Sequence, residues 1–471
     1  MDLRQRQLRK ISDAIGKRYL YWFGIRGADA QALLEFDQFN ACFSLASPLR
    51  AITLSQELCL ETLQDARVDL NTYDIDQDTS EPLRRLHSGL AQACNWPVVL
   101  VPYRPSAFLT SVYFPRGDRV AYLGLFRDHQ SMFEHKGWVE SQLRTVGVSV
   151  VPWHYIADDD LGSLMSLLKE GPLVLRVNRS AGGVGLNLLR RFDELTTRWP
   201  AHDDGFLSVA PHFEPSIPLN VSACIFSDGT VTLHAPSLQL IGIPCCTGRI
   251  FGYCGNDFAR VRDLDTSILK DLEVMTITIG QWLYRLGYLG AFGIDALVYK
   301  GKVLLTEVNP RFQGSTSIAT RLAAGLDRPD IVTDHMAAFL GLEASPGNHL
   351  TDLAQAQKPI AQVIVYNTNP YPLQLSSSTI PDQWEPSLEL LPEPGVKVLP
   401  NGVLFKLVLD RAVTQDGYTL EPEVQNTVKM LTASLFVQAP RLLGSTVRKS
   451  TNIRKTTETK RNTATPHPLE P

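Results

Sequence analysis

Apolar and polar positions follow two rhythms along the first 130 residues. Short apolar runs bounded by proline or glycine predict buried strands, and apolar residues that recur every three to four positions predict helices. Strands and helices that alternate in this way indicate an open α/β layer. The predicted strands are 19–25, 41–45 and 97–103, and the predicted helical segments are 28–36, a segment around Leu60, and 83–93.

The same patterns continue through the middle of the chain. A helix over 129–146 is predicted to end at Gly147, and a strand over 148–152 follows it. Strand 173–177 runs directly into a glycine-rich turn. The later predicted elements are strands 186–189, 206–209, 220–226 and 231–234, a long helix over 268–286, a hairpin of strands 293–299 and 303–308, and a helix over 317–324.

Breaks in these patterns predict the domain organisation. Pro346, Gly347 and the polar residues around them suit a boundary, and strands near 360–366 and 402–409 follow it. From about Ser445 the chain is basic and rich in threonine, which is typical of a disordered segment. We predict an α/β domain over 1–130, a domain over 131–345 with lobes at about 150–210 and 211–345, a small α/β unit over 346–444, and a disordered basic tail over 445–471.

The composition excludes several classes of protein. Apolar residues make up 44% of the 471 residues and charged residues 20%, as in a folded globular chain. A net charge of −4 gives no global attraction to nucleic acid, and no apolar run reaches the ~18 residues of a membrane span. The basic N-terminus lacks the apolar core of a secretory signal, and the odd number of cysteines fits free thiols. We therefore expect a cytoplasmic protein without nucleic-acid or membrane partners.

Two carboxylates and an amide are predicted to share one face of the 293–308 hairpin. Residues i, i+2 and i+4 of a strand share a face, so Glu307, Asn309 and Arg311 point the same way. A three-residue turn over 300–302 places Asp295 opposite Glu307, whereas a two-residue turn would separate them. Carboxylate and amide oxygens suit Mg²⁺ or Mn²⁺, and the arginine can bind an anion. A solvated edge with a charge pair is the alternative.

A glycine-rich turn follows the strand at 173–177. Its sequence is Asn178-Arg179-Ser180-Ala181-Gly182-Gly183-Val184-Gly185. Glycines allow backbone N–H groups to approach phosphate oxygens, and Arg176 and Arg179 add positive charge. No Gly-Lys-Ser/Thr of a Walker loop is present, and an apolar strand, not a helix, follows the turn. A plain hairpin is the alternative.

Two further segments accompany these motifs: Lys136 lies before them, and between them lies Ala210-Pro211-His212-Phe213-Glu214-Pro215. In this order, the four pieces resemble the ATP-grasp superfamily over residues 136–325. The spacing from Arg176 to Gly185 is similar to that in the glycine loops of biotin carboxylases and D-alanine–D-alanine ligases. Glu-x-Asn-Pro-Arg is the closing motif of the superfamily. The resemblance implies an ATP-grasp fold of two α/β lobes, preceded by an open α/β pre-ATP-grasp domain and followed by a small C-terminal unit.

The resemblance also implies a role for each motif residue. Mg²⁺ or Mn²⁺ would be held by Asp295, Glu307 and Asn309, and Arg311 and Arg176 would act in catalysis. Arg176 stands where the superfamily usually has a lysine, and arginine presents a wider planar fork. The residues implied to contact ATP are Lys136, Arg176, Ser180, Gly182, Gly183, Gly185 and, at the ribose, Glu214.

The N-terminal section narrows the resemblance. Residues 21–27 look like the pre-ATP-grasp layer of peptide ligases similar to the pheganomycin-type enzyme. Residues 237–239 and 247–258 fall where such enzymes place contacts to the acceptor substrate. An ordinary loop over the site is the alternative for both segments.

The implied activity is that of an ADP-forming carbon–nitrogen ligase. ATP would phosphorylate a small-molecule carboxylate, and an amine, such as that of an amino acid or peptide, would then attack the acyl phosphate. A homodimer is left open. The alternatives are an ATP-grasp carboxylase that uses bicarbonate and a nucleotide-binding regulatory protein without catalysis.

Overall fold

The computed structural model describes residues 2–51, 53–200, 204–376 and 387–439. The predicted tail, 445–471, lies outside these ranges. Within them the strands form four sheets. None of the described helices combines the length and the apolar character needed to cross a bilayer.

A parallel five-stranded sheet, in the order β3-β2-β1-β5-β6, forms the N-terminal region. Alternate residues of β1 pack on opposite faces, Trp22 in one core and Phe23 in another, so the strand reads as a continuous apolar run. The predicted strands are confirmed, and the helix predicted over 28–36 is a 3₁₀ helix. The elements are α1 (Leu3–Ile15), β1 (Tyr19–Arg26), a 3₁₀ helix (Gly27–Glu35), β2 (Phe39–Ala46), β3 (Gln56–Cys59), α2 (Leu60–Gln64), β4 (Ala66–Arg67), α3 (Glu81–Ala93), β5 (Val98–Pro102), α4 (Ala107–Tyr113), a 3₁₀ helix (Phe114–Arg119) and β6 (Val120–Tyr122).

An antiparallel sheet in the order β7-β10-β8-β9 follows. The helix predicted over 129–146 is two helices, because His135 is extended and its Nδ1 accepts a hydrogen bond from the N–H of Trp138 at 3.2 Å, which starts a new helix. The predicted strand over 148–152 is wrong: Val150 makes only an isolated bridge to Leu305. The elements are α5 (Arg127–Phe133), α6 (Lys136–Thr145), β7 (His154–Ala157), α7 (Leu161–Leu168), β8 (Leu173–Arg176), β9 (Leu186–Leu189), a 3₁₀ helix (Phe192–Glu194), α8 (Leu195–Arg198) and β10 (Phe206–Pro211).

The largest sheet is antiparallel and has nine strands. Its path is β16-β15-β11-β13-β14-β17-β21-β19, with β12 beside β11. The long helix α9 buries Leu272, Ile279 and Leu283, at helical spacing, against one face of this sheet. The elements are β11 (Ile217–Ile225), β12 (Val231–Leu233), β13 (Ser237–Ile241), β14 (Tyr253–Asp257), a 3₁₀ helix (Arg260–Asp263), α9 (Thr266–Arg285), β15 (Gly290–Tyr299), β16 (Lys302–Asn309), α10 (Thr316–Gly325), α11 (Ile331–Phe339), α12 (Leu350–Ala356), β17 (Ala361–Tyr366), β18 (Leu373–Leu375), β19 (Leu388–Glu389), β20 (Lys397–Val398), β21 (Val403–Leu409), α13 (Pro422–Leu435) and β22 (Phe436–Gln438).

The C-terminal strands are continuous with the rest of the molecule. The predicted strands near 360–366 and 402–409 are confirmed as β17 and β21, and both extend the nine-stranded sheet. A fourth sheet, β22-β18-β20-β4, contains one strand from the N-terminal region. The C-terminal segment therefore shares sheets with earlier parts of the chain.

Candidate active site

A two-residue turn and a bulge set the register of the β15–β16 hairpin. Lys300 and Gly301 form the turn, with φ of 49° and 74°, so the predicted three-residue turn is wrong. A β-bulge at Thr306 then shifts the register by one residue. Asp295 therefore pairs with Glu307, as predicted, for a different reason: the bulge cancels the register change made by the shorter turn.

Asp295 lies among amide groups at the exit of the hairpin. Asn220 donates to its Oδ1 at 2.7 Å, and Asn309 donates to its Oδ2 at 3.0 Å. Burial and, after it, the negative charge of Glu307 raise the pKa of Asp295 to about 6, and hydrogen bonds from these amides and Gln239 limit the rise. The two facing carboxylates thus repel each other.

This donor set fits a hard divalent cation. Two carboxylates with a neighbouring amide are the oxygen ligands that Mg²⁺ prefers, and a cation would remove the repulsion that raises the pKa of Asp295. No group of three or more His, Cys, Asp or Glu side chains suited to a metal occurs in the described ranges. An ion held by Asp295, Glu307 and Asn309 would complete its coordination with oxygens from substrate or water.

Lys136 connects this carboxylate pair to the glycine-rich turn. It is the first residue of α6, and its side chain is almost fully buried. Its Nζ lies 3.0 Å from Oε1 of Glu307 and donates a hydrogen bond to the carbonyl of Ser180 at 2.8 Å. The ammonium thus stands between the carboxylates and the loop, where it can meet a phosphate.

Arg176 is held by three contacts inside the cavity wall. Its Nη2 lies 2.5 Å from Oε1 of Glu140, and its Nη1 donates to the carbonyl of Thr306 at 3.0 Å. The guanidinium also stacks 3.8 Å from the ring of Trp153. The bulge residue of β16 is therefore tied to β8.

The glycines of the turn adopt a backbone that other residues rarely adopt. Gly182, Gly183 and Gly185 have φ of 57°, 79° and 70°. A Cβ at Gly182 would lie 2.2 Å from Oδ1 of Asn71, and one at Gly183 would lie 2.2 Å from the carbonyl oxygen of Phe251. Glycine is required here by conformation and by space.

Two segments from other regions cover this turn. Asn71 belongs to the segment between β4 and α3, and Phe251 to the loop between β13 and β14. An ion pair between Asp69 and Arg249 joins the two segments. The loop is thus covered by two segments that are distant from it in the sequence.

A cavity of about 650 Å³ brings most of the predicted residues together. Its wall contains the carboxylate pair, the glycine-rich turn and the segment before β11, where Phe213 packs against Tyr299 with ring centroids 4.6 Å apart. The predicted site residues that line it are Lys136, Arg176, Ser180, Gly182, Gly183, Asp295, Glu307, Asn309 and Arg311.

Two predicted residues do not line this cavity. Gly185 packs against the side chain of Val177. Glu214 is largely exposed, and its carboxylate lies 3.7 Å from Nδ1 of His212, which does line the wall. The segment at 210–213 therefore faces the cavity, and Glu214 stands just outside it.

Solved structures with this architecture include the biotin carboxylase–β,γ-ATP complex from Campylobacter jejuni, which is 14% identical, with a TM-score of 0.60 over 91% of this chain and 93% of that chain. The biotin carboxylase domain of the 2-oxoglutarate carboxylase from Hydrogenobacter thermophilus is 12% identical, with a TM-score of 0.58 over 90% and 92%. N5-carboxyaminoimidazole ribonucleotide synthetase from Thermotoga maritima is 13% identical, with a TM-score of 0.52 over 90% and 100%. The chain has the ATP-grasp fold.

The predicted fold class is confirmed by these likenesses, which concern the fold alone. No protein-family model and no curated protein matches the sequence. The narrower likeness to pheganomycin-type ligases stays a prediction. The ATP-grasp fold places the glycine-rich turn in the β7-β10-β8-β9 sheet and the carboxylate pair in the nine-stranded sheet, on two sides of one cavity.

Sequence reasoning found only part of the cavity wall. Among the predicted acceptor segments, Gln239 and Tyr253 line the cavity, whereas Asp257 accepts hydrogen bonds from the backbone N–H groups of Val413 and Arg260. Residues from the N-terminal sheet were missed altogether. They lie at the ends of the adjacent parallel strands β1 and β5, and such strand ends were the available signal. These residues are Arg26, Tyr103 and Arg104.

Proposed function

We propose that this protein is an ATP-dependent ligase that activates a carboxylate as an acyl phosphate, forms ADP and phosphate, and couples the acyl group to an amine. The pairing of Asp295 with Glu307 on a wall shared with the glycine-rich turn carries the proposal, because phosphoryl transfer needs a cation beside the phosphates. The ATP-grasp fold supports it.

Charge explains how the residues would act. A carboxylate that attacks ATP brings two anions together, and Lys136, Arg176 and Arg311 would screen their repulsion. Mg²⁺ or Mn²⁺, held by Asp295 and its neighbours, would supply Lewis-acid stabilisation of the transferred phosphoryl group. Backbone N–H groups of the glycine-rich turn would cover the phosphates and exclude water from the acyl phosphate.

The nucleotide would lie between the two lobes. The wall at Ala210, His212 and Phe213 offers an apolar place for the adenine, next to Val151 and Leu297. The predicted ribose contact of Glu214 requires its exposed side chain to turn toward the cavity. We retain that contact, and those of Ser180, Gly182, Gly183 and Gly185, as part of the proposal.

Bicarbonate is the second candidate for the acid. One similar structure, the Hydrogenobacter thermophilus biotin carboxylase domain dimer, is a complex with MgADP, ADP and bicarbonate anion. The same chemistry would then form carboxyphosphate in place of an acyl phosphate. That likeness also keeps a homodimer among our proposals.

Nucleotide product analysis tests the proposal. The protein is incubated with ATP and Mg²⁺, together with bicarbonate, pooled amino acids or other carboxylates, with and without hydroxylamine. ADP and phosphate that depend on an added carboxylate, with hydroxamate formed, are expected. Formation of AMP and pyrophosphate would contradict the acyl-phosphate route, and ADP that depends on bicarbonate alone would favour the second candidate.

A further inference from the structure

Three side chains from the N-terminal sheet form a second polar group in the cavity. Arg26 is the last residue of β1, and Tyr103 and Arg104 directly follow β5. All three line the cavity that contains Asp295 and Glu307. We name them the Tyr103 subsite.

The topology of the sheet places this subsite at its switch point. In the order β3-β2-β1-β5-β6, the chain leaves β1 toward β2 on one side and leaves β5 toward β6 on the other. The 3₁₀ helix after β1 and the helix α4 after β5 pack in different cores. Crevices at the carboxyl ends of such neighbouring parallel strands are the usual ligand positions in open α/β sheets.

The hydroxyl of Tyr103 has no partner of its own. Only 4% of this residue is exposed, and the described part of the chain offers its hydroxyl no hydrogen bond. Burial raises the pKa of Tyr103, and the positive charges of Arg311, Arg26 and Arg104 lower it, so three guanidinium groups lie near one phenol. Tyr103 lines the cavity, so its hydroxyl is available there to a ligand.

The charges around Tyr103 favour an anion. Arg26 is paired with Asp29 through its Nε at 3.0 Å, and its side chain remains 12% exposed. Arg104 forms no ion pair with an acidic side chain in the described ranges, whereas Arg311 lies near Glu134, Glu307 and Asp295. A guanidinium fork matches a carboxylate in geometry and charge.

We propose that the Tyr103 subsite binds a substrate carboxylate other than the one that is activated, and that this carboxylate belongs to the amine acceptor. The ligand class is therefore an amino acid or a peptide with a free carboxylate. The inference rests on the proposed ligase function, because it assumes that Arg311 and the cation site serve the reacting group. Glu134, which lines the same cavity near Arg311, gives the amine end an acidic neighbour.

The test uses two nucleophiles that differ in their carboxylate. N-acetylated amino acids serve as the acid pool, since they cannot act as acceptors, and amide products are compared for amino acids, amino acid α-amides and hydroxylamine. The wild type is expected to prefer free amino acids over α-amides by about 10-fold to 100-fold, as for loss of a hydrogen bond to a charged group. Equal rates of amide formation with free amino acids and with amino acid α-amides would overturn the proposal.

Two variants probe the subsite without leaving a buried charge unpaired. Arg104→Met and Tyr103→Phe are expected to lower the ratio of amide to hydroxamate at low acceptor concentration by about 10-fold, with recovery at high concentration. Arg84→Met, an exposed arginine paired with Glu81, is the matched control and should keep the wild-type ratio. An unchanged ratio in both variants would overturn the proposal, and a parallel loss of both products would place the carboxylate on the acid instead.

A binding readout separates failure of the subsite from failure of the proposed function. Melting temperatures are measured with Mg²⁺ and adenylyl imidodiphosphate, then with the pool of free amino acids added. A shift with the nucleotide alone reports the nucleotide site. A further shift with free amino acids, lost in Arg104→Met, supports the subsite even without turnover, and no further shift in the wild type overturns it.

Discussion

The contacts of Arg176 depend on the shape of its side chain as well as on its positive charge. Its guanidinium meets a carboxylate, a carbonyl and an aromatic face at once: Glu140, Thr306 and Trp153. A lysine would supply the charge but not the planar fork that makes these contacts together. The surroundings of Arg176 are thus matched to a guanidinium in shape as well as in charge.

Removing Arg176 should destabilise the protein strongly. Arg176→Met would leave Glu140, whose side chain is 2% exposed, without its counter-charge, at a cost of about 3–5 kcal/mol in the free energy of unfolding. Urea unfolding measures this change. Arg179→Met, at an exposed arginine of the same loop, is the control and should change it by about 0.5 kcal/mol or less.

Glu307 separates a catalyst from a nucleotide binder. Glu307→Gln removes one of the two facing carboxylates and should lower the rate of ADP formation by at least about 100-fold, since cation stabilisation is worth several kcal/mol. Steady-state ADP formation and calorimetric titration with Mg²⁺ and adenylyl imidodiphosphate measure the two effects. Glu423→Gln, an exposed carboxylate, should match the wild type. If the wild type forms no ADP and Glu307→Gln only lowers nucleotide affinity, the protein is a nucleotide binder and not a catalyst.

At this scale, spacing along one short segment predicted a shared location, and the roles of the residues concerned in binding and catalysis stay predictions. Glu307, Asn309 and Arg311 follow one another at alternate positions, and the structure places all three on the cavity wall. Arg26 and Tyr103 could not be assigned in the same way. They meet only because β1 and β5 pair in parallel. No local sequence pattern predicts which strand lies next to β1.

At the scale of elements, the β15–β16 hairpin shows why a register is hard to predict from a turn alone. The sequence Lys300-Gly301 permits either a two-residue or a three-residue turn. A bulge is a tertiary feature: the carbonyl of Thr306 accepts a hydrogen bond from Arg176 on another sheet. The predicted pairing of Asp295 with Glu307 was correct, but the predicted turn was wrong. The actual register depends on the bulge at Thr306, whose contact with Arg176 cannot be predicted from the local sequence.

The glycine-rich turn should be sensitive to a single methyl group. Gly183→Ala would place a Cβ 2.2 Å from the carbonyl of Phe251 on a backbone with φ of 79°. We expect a loss of about 10-fold or more in apparent ATP affinity, since such a backbone costs an alanine roughly 1–2 kcal/mol before the clash is added. The KM for ATP, or calorimetric titration with the non-hydrolysable analogue, measures it.

Gly301→Ala is the matched control for that substitution. Gly301 has a similar φ of 74°, but an added Cβ would meet no atom within 4 Å. This variant should lose about 1 kcal/mol of stability and keep the wild-type affinity for ATP. Equal effects of the two variants on affinity would contradict the role given to the close contact at Gly183.

The helix α11 carries a buried histidine that makes stability depend on pH. Nδ1 of His335 accepts from the N–H of Ala291 at 3.0 Å, and Nε2 contacts the carbonyl of Leu123 at 2.8 Å, which fits the neutral ring. Burial lowers its pKa from 6.5 to about 4, and the hydrogen bond to Leu123 opposes the change. Between pH 6.5 and pH 4 the imidazole binds a proton more tightly in the unfolded chain than in the folded one. The free energy of unfolding therefore decreases as the pH falls through this range.

This contribution amounts to about 3 kcal/mol at most and should disappear between pH 6.5 and pH 4. Urea unfolding at several pH values measures the slope, which should be smaller in His335→Gln. His154→Gln, at an exposed histidine, should retain the wild-type slope. An identical slope in His335→Gln would contradict the assignment.

At the scale of the whole molecule, a buried arginine joins the beginning of the chain to its end. Arg67 pairs with Glu61 at 2.7 Å, and both side chains are completely buried. Its Nη1 donates to the carbonyls of Leu390 and Val403, at 2.5 and 2.8 Å. The sequence predicted neither β4 nor β20, because each is only two residues long and only tertiary structure brings the two together.

Breaking this junction should weaken both regions together. Arg67→Met leaves Glu61 buried without its partner and should cost about 3–5 kcal/mol, with hydrogen-exchange protection falling in β4 and β20 at once. Arg50→Met is the control, since Arg50 also reaches the C-terminal region, at Glu393, but is exposed and should cost at most about 1 kcal/mol. Loss of protection in β20 alone would show that the two regions open independently.

The position of Arg67 also constrains the order of events during synthesis. The two carbonyls that it meets lie 323 and 336 positions later in the chain. Regions that emerge first from a ribosome generally fold first, but here β4 lacks its neighbour until residues 390–403 have emerged. The nascent N-terminal region must therefore wait, with β4 unpaired, while most of the protein is still being translated.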